Sequence, residues 1–144
     1  GAMLGSGGVI VGDESKCAVD ITRVLVAFCQ YESCGKCFPC RLGMTQLLEM
    51  IERIAMNEAT SDDVDLMNAV GRTMESASLC FHGQLGYNPI RSALMNFPDD
   101  FRAHIEDKRC PSGDCMNPLF APKNTRSFAE NYRAHLEPTE MKVR

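Results

Sequence analysis

The apolar residues of this chain recur at intervals of three and four. Ile21, Val24, Leu25 and Phe28 fall at i, i+3, i+4 and i+7, which predicts a first helix over about residues 20–30 with that stripe turned to the core. Met44, Leu47, Leu48, Ile51 and Ile54 repeat at helical spacing up to about Met56. Pro39 stands ahead of them where a first helical residue would leave its amide unpaired. Thr60 and Ser61, followed by Asp62 and Asp63, form an N-terminal capping signal for a third helix that carries Val64, Met67, Val70 and Met74 and ends near Leu79. Asn88-Pro89 opens a short helix with Ile90, Leu94 and Phe97, and Pro98-Asp99-Asp100 opens another with Phe101 and Ile105. Asn117, Pro118, Pro122 and Asn124 predict a loop, followed by a peripheral helix from about Ser127 to Leu136.

Residues 8–11, Gly-Val-Ile-Val, read as the close of a strand from a preceding domain. Elsewhere no period-two alternation is long enough to build a sheet, and no internal repeat appears. The expected fold class is therefore all-α: a small helical bundle of about four core helices, with cysteine-rich metal-binding loops. The Met, Leu and Ile stripes are assigned to core packing. Residues 1–16 read as a tag remnant and the tail of a preceding domain, residues 17–109 as a helical cluster-binding domain, and residues 110–144 as a cysteine-containing loop with a peripheral tail.

A chain of 144 residues with 44% hydrophobic composition can bury a core without obligatory staples. Its formal net charge of -4 argues against a phosphate-binding surface, so nucleic acid is not an expected partner. No apolar run approaches the roughly 20 residues of a membrane helix, and no charged-then-apolar leader opens the chain, so neither direct membrane insertion nor secretion is expected and the location is read as cytoplasmic. In that setting eight cysteines are better read as metal ligands than as disulfides.

Cys34, Cys37 and Cys40 stand three apart in Glu32-Ser-Cys-Gly-Lys-Cys-Phe-Pro-Cys-Arg41, the spacing that wraps a tight loop around three corners of a four-iron cubane. Cys80 could supply the fourth thiolate, because an antiparallel hairpin of the second and third helices returns the chain to the level of Cys40. Gly35 allows the loop to turn, and Pro39 stiffens its exit into the helix. The helix N-terminus, Lys36 and Arg41 would offset the cluster's negative charge and tune its potential. A structural zinc on the same four sulfurs is the competing reading. Zinc sites of four cysteines usually come as two separated pairs, and three-then-one fits a cubane better. Cys29 reads as a small buried hydrophobe, and His82, close to Cys80, as a neighbour of the cluster.

Cys110 and Cys115 flank Pro-Ser-Gly-Asp, with His104 upstream and Cys17 unassigned near the N-terminus. Three thiolates and an imidazole could close a redox-inert tetrahedral zinc shell that pins the start of the domain to its end. The alternatives are a loose, oxidisable thiol pair, or merely structural cysteines with His104 exposed on its helix. His135 reads as a solvated surface residue.

With the motif at 32–41 and a remote Cys80, the chain resembles the C-terminal iron-sulfur region of the NADH-binding flavoprotein subunit of respiratory complex I and of NAD(P)-dependent hydrogenases and formate dehydrogenases. Asn88–Phe97 and His104–Cys115 resemble the hydrogenase-type branch more closely, and the likeness covers about residues 8–116. It implies a 4Fe-4S cluster on Cys34, Cys37, Cys40 and Cys80. That cluster would relay electrons from a flavin (FMN) domain that oxidises NAD(P)H to a partner subunit of the thioredoxin-like 2Fe-2S type. It also suggests a zinc near Cys110 and Cys115, in agreement with the set of Cys17, His104, Cys110 and Cys115 read from the residues. FMN and NAD(P) would belong to a flanking domain that is absent here, so this chain alone is not expected to oxidise NADH. Leu42 precedes Gly43 where many relatives carry an acidic residue, which alters the field around the cluster and leaves the ligand set intact.

Overall fold

The computed structural model describes residues 7–116. Its elements are α1 (Ala18–Tyr31), α2 (Phe38–Ala55), α3 (Ser61–Ala77), α4 (Phe81–Leu85), α5 (Asn88–Asn96) and α6 (Pro98–Ile105), closed by a 3-10 turn at Asp114–Met116. There is no strand among the described residues, and the fold is an all-α bundle. Val9, Ile10 and Val11, read as the close of a strand, are irregular and exposed. The helix expected at 127–136 and His135 lie outside the described residues.

The second helix is the axis of the bundle. Its stripe Met44, Leu47, Leu48, Ile51 and Ile54 is buried, and α1, α3, α4 and α6 pack around it. Pro39 occupies its first turn, as the spacing predicts. The third helix begins at the expected cap, where the Asp63 carboxylate accepts the Thr60 N–H at 2.8 Å and pairs with Arg53 of α2, and it buries Met67 and Met74. α4, a single turn, has too few residues to show a period and was not legible in the sequence.

The first helix forms where its stripe predicts, but rotated. Val24 and Phe28 are exposed, while Val19, Thr22, Arg23 and Val26 are buried. The inward face takes charge because Asp20 neutralises Arg23 at 2.7 Å, with the Arg23 Nε–H donating to the same carboxylate at 2.8 Å, and Thr22 Oγ1 donates to the Ala18 carbonyl. An apolar count cannot see a charge that is cancelled three residues away on its own helix.

Candidate metal centres

The loop 32–37 leaves α1 and enters α2, with Cys37 as the N-cap of α2 and Cys40 in its first turn. Gly35 has φ +68°, a conformation that side chains oppose, and Arg41 Nη1 donates to the Gly35 carbonyl at 3.0 Å, so the cation expected to tune the site also holds the loop. Cys34 is exposed, Cys37 half-buried and Cys40 buried, with the Ser33 hydroxyl 3.4 Å from the Cys40 sulfur.

The chain returns to this level after α3. Cys80 is the N-cap of α4 and exposed. Gly83 lets α4 close on the loop: a Cβ there would lie 2.5 Å from Ser78 Oγ and 2.9 Å from Cys40 Cβ. The backbone amide of Leu79, and after it that of Cys40, holds the Cys37 thiol below its ordinary range. His82 is half-buried and its Nε2–H donates to the Cys29 carbonyl at 2.8 Å, which ties α4 to the end of α1. Burial, and then the charge of nearby Cys40, raises the Cys29 thiol, in keeping with a packed, unreactive side chain.

Backbone amides at Cys37, two helix N-termini and a buried hydroxyl without a hydrogen bond, Ser78 Oγ, surround this set. Such donors suit a group that bears negative charge and several sulfur acceptors, and the residues fit a four-iron cluster on Cys34, Cys37, Cys40 and Cys80.

A second set lies where α1 begins and the chain leaves α6. The ligand atoms of Cys17, His104, Cys110 and Cys115 all lie within 4.8 Å of one another. His104 is fully buried, contrary to the exposed alternative, with Nε2 3.7 Å from the Cys17 sulfur and 3.3 Å from that of Cys115. Its Nδ1–H donates to the Asp100 carbonyl at 2.8 Å, which fixes the tautomer and leaves Nε2 to the thiols. The Asp100 carboxylate accepts the Ala18 N–H at 3.1 Å, so one residue of α6 steadies both His104 and the turn behind Cys17. No spacing rule marks Asp100; only the packing of α6 against α1 does.

A hydrogen bond from the Cys115 thiol draws Cys17 down to about 4 against its burial, and Cys115, the donor, is pushed up. Burial pulls His104 down, but its contacts with Cys17 and the Asp100 carbonyl outweigh this and raise it to about 9. The site is thus built around negative sulfur. Tetrahedral zinc, with zinc–sulfur distances of about 2.3 Å, brings its ligands to roughly 3–4 Å of one another, close to the present spread. A cubane holds its thiolates farther apart, so this set fits a single ion.

Residues 20–104 match the family described as the NADH-ubiquinone oxidoreductase-F iron-sulfur binding region. The chain is 37% identical over 114 residues to the NADP-reducing hydrogenase subunit HndC of Solidesulfovibrio fructosivorans, which covers 79% of this chain and 23% of that protein. It is 33% identical over 120 residues to the beta subunit of the NADP(+)-dependent formate dehydrogenase of Moorella thermoacetica, over 81% of this chain and 16% of the relative. The chain thus spans less than a quarter of the length of these relatives. Among solved structures it is similar to a chain of an air-oxidized NAD+-reducing [NiFe]-hydrogenase, with a TM-score of 0.64 and 31% identity, over 67% of this chain and 17% of that one.

Proposed function

This chain belongs to the family of NADH-ubiquinone oxidoreductase-F iron-sulfur binding regions, and from that premise we propose that it is an electron-relay domain holding one 4Fe-4S cluster on Cys34, Cys37, Cys40 and Cys80. The observation that carries this reading is the convergence of the loop 34–40 with the segment 78–83, where amides and a hydroxyl gather around thiols from two distant stretches of chain. When bound, the cluster takes up and gives back one electron at a time.

The protein's part is to hold, charge and expose. Cys40 and Cys37 are tethered to the first turn of α2, whose N-terminus favours negative charge. Lys36 and Arg41 add positive charge on the solvent side. Cys34 and Cys80 reach the surface beside the exposed Phe38, Leu79 and Phe81, an apolar rim that a partner can cover and that shortens the path from the cluster to an acceptor. In this reading the electron donor is a flavin (FMN) domain that oxidises NAD(P)H, in the same polypeptide or complex, and the acceptor is a thioredoxin-like 2Fe-2S subunit. The isolated chain carries electrons without catalysing NADH oxidation. No helix among the described residues is long and apolar enough to cross a membrane.

Cys17, His104, Cys110 and Cys115 would hold a structural zinc, supported by the preset His104 tautomer and the single-ion spacing of the four ligand atoms. Residues 17–109 with their closing loop then act as one metal-stapled unit.

Anaerobic metal and sulfide analysis, with the electron paramagnetic resonance spectrum after dithionite, tests both assignments. The expected result is four irons and four sulfides per chain, a reduced-state signal lost in Cys80→Ala, and one additional zinc. Stoichiometric zinc without iron or sulfide would replace this reading with a zinc-stabilised docking module that has no redox role.

A further inference from the structure

Ser78 is an anomaly in the bundle. It is 6% exposed, and its Oγ is sealed from solvent without any hydrogen-bond partner. Buried hydroxyls find partners because an unpaired one forfeits its hydration, so such an atom in a packed protein points to a missing acceptor. The backbone of Ser78 is held in place. Its N–H donates to the Met74 carbonyl at 3.0 Å, its carbonyl accepts Gln84 Nε2–H at 3.0 Å, and Gly83 packs against its side chain. Both ends of its backbone are engaged, and the hydroxyl lies buried against Gly83.

That place is the floor between the two halves of the thiolate set. A Cβ built on Gly83 would lie 2.5 Å from the hydroxyl and 2.9 Å from the Cβ of Cys40, so a gap no wider than one methyl group separates the hydroxyl from the root of that ligand side chain. Ser33, with its hydroxyl 3.4 Å from the Cys40 sulfur, is half-buried at the surface of the loop, where water can take its place. The Oγ of Ser78 has no such access to solvent.

We infer that the Ser78 hydroxyl donates a hydrogen bond to a sulfur of the bound cluster on the Cys40 side and thereby sets its reduction potential. This rests on the four-iron reading of Cys34, Cys37, Cys40 and Cys80. A donor aimed at sulfur stabilises the reduced cluster more than the oxidised one, because reduction adds negative charge to the acceptor. Ser78 therefore raises the potential. Neither ligand geometry nor flavin chemistry requires it; it is a tuning residue that sits two positions before Cys80.

The test compares the whole chain with its Ser78→Ala and Ser78→Thr variants, by iron and sulfide content, potentiometric titration of the reduced paramagnetic signal, and proton hyperfine spectra in H2O and D2O. Iron and sulfide in the unsubstituted chain first decide whether the cluster reading stands. Given that, Ser78→Ala should keep its iron and shift the one-electron equilibrium about tenfold against reduction, about 59 mV lower. It should also lose one exchangeable proton coupling. Ser78→Thr, which keeps the hydroxyl, should retain the potential and the coupling. Loss of the cluster from Ser78→Ala alone would also place the hydroxyl on the cluster. An iron-replete Ser78→Ala with unchanged potential and coupling overturns the inference, as does an equal shift or an equal loss of cluster in both variants, which would mark Ser78 as a packing residue.

Discussion

Single side chains at this thiolate level work within tolerances of less than an ångström. Gly83 allows α4 to approach Cys40 and Ser78, and the methyl of Gly83→Ala would lie 2.5 Å from Ser78 Oγ, 2.6 Å from Ser78 Cβ and 2.9 Å from Cys40 Cβ, closer than carbon atoms pack. We expect that variant to lose roughly 1–3 kcal/mol in chemical denaturation and to purify with iron well below four per chain. Glu52 makes a different case. Burial holds its carboxyl up at about 7, against an ordinary 4.5, even though the Arg23 guanidinium pulls it back. The folded state therefore binds this proton more tightly than the unfolded chain. The associated stability is complete below pH 4.5 and is lost as the pH rises through about 7. Glu52→Gln should flatten that part of the profile and be more stable than the unsubstituted chain at pH 8, by on the order of 1 kcal/mol, as read from urea midpoints at pH 5 and pH 8. A midpoint that does not change between these pH values in the unsubstituted chain would contradict the buried, neutral carboxyl.

At the scale of elements, helix ends matter more here than helix bodies. Cys17, Cys37 and Cys80 are the N-caps of α1, α2 and α4, so three candidate ligands stand where helix-end amides are unpaired. Asp100 connects the first of these to α6, its carboxylate accepting the first-turn amide of α1. Asp100→Ala should cost about 1 kcal/mol as a lost cap. Zinc affinity, read in competition with a chromophoric chelator, should stay largely unchanged, because the group that orients His104 is the Asp100 backbone carbonyl, which the substitution keeps. A fall in zinc affinity of roughly 10- to 100-fold in a folded variant would instead show that the carboxylate supports the site through the turn at Cys17.

For the whole molecule, the zinc set links residues far apart in sequence, Cys17 before α1 to Cys115 beyond α6, and so closes the bundle. The exposed Lys16–Asp114 pair at 3.4 Å spans the same junction but contributes little beside it. Zinc at 100 times its dissociation constant should stabilise the fold by about 2.7 kcal/mol. Cys110→Ser with Cys115→Ser should abolish that increment in thermal melts and leave the iron content intact. The apolar side chains left in solvent, Phe28 on α1 and Phe38, Leu79 and Phe81 around the thiolates, make weak self-association the expected behaviour. Sedimentation velocity should show it as a coefficient rising with concentration, reduced in Leu79→Ser with Phe81→Ser.

The sequence by itself determined the all-α class, the extents of α2 and α3, the cysteine motif at 34–40 and the family, because periodicity, capping and ligand spacing are local properties of the chain. It did not reveal the inward face of α1, since Asp20 and Arg23 count as surface residues until they cancel each other inside the bundle. Nor did it reveal α4, Asp100 or Ser78. Which distant thiols, hydroxyls and carbonyls come to share one small volume is decided by how helices cross, and a buried hydroxyl without a partner exists only once packing has removed its water.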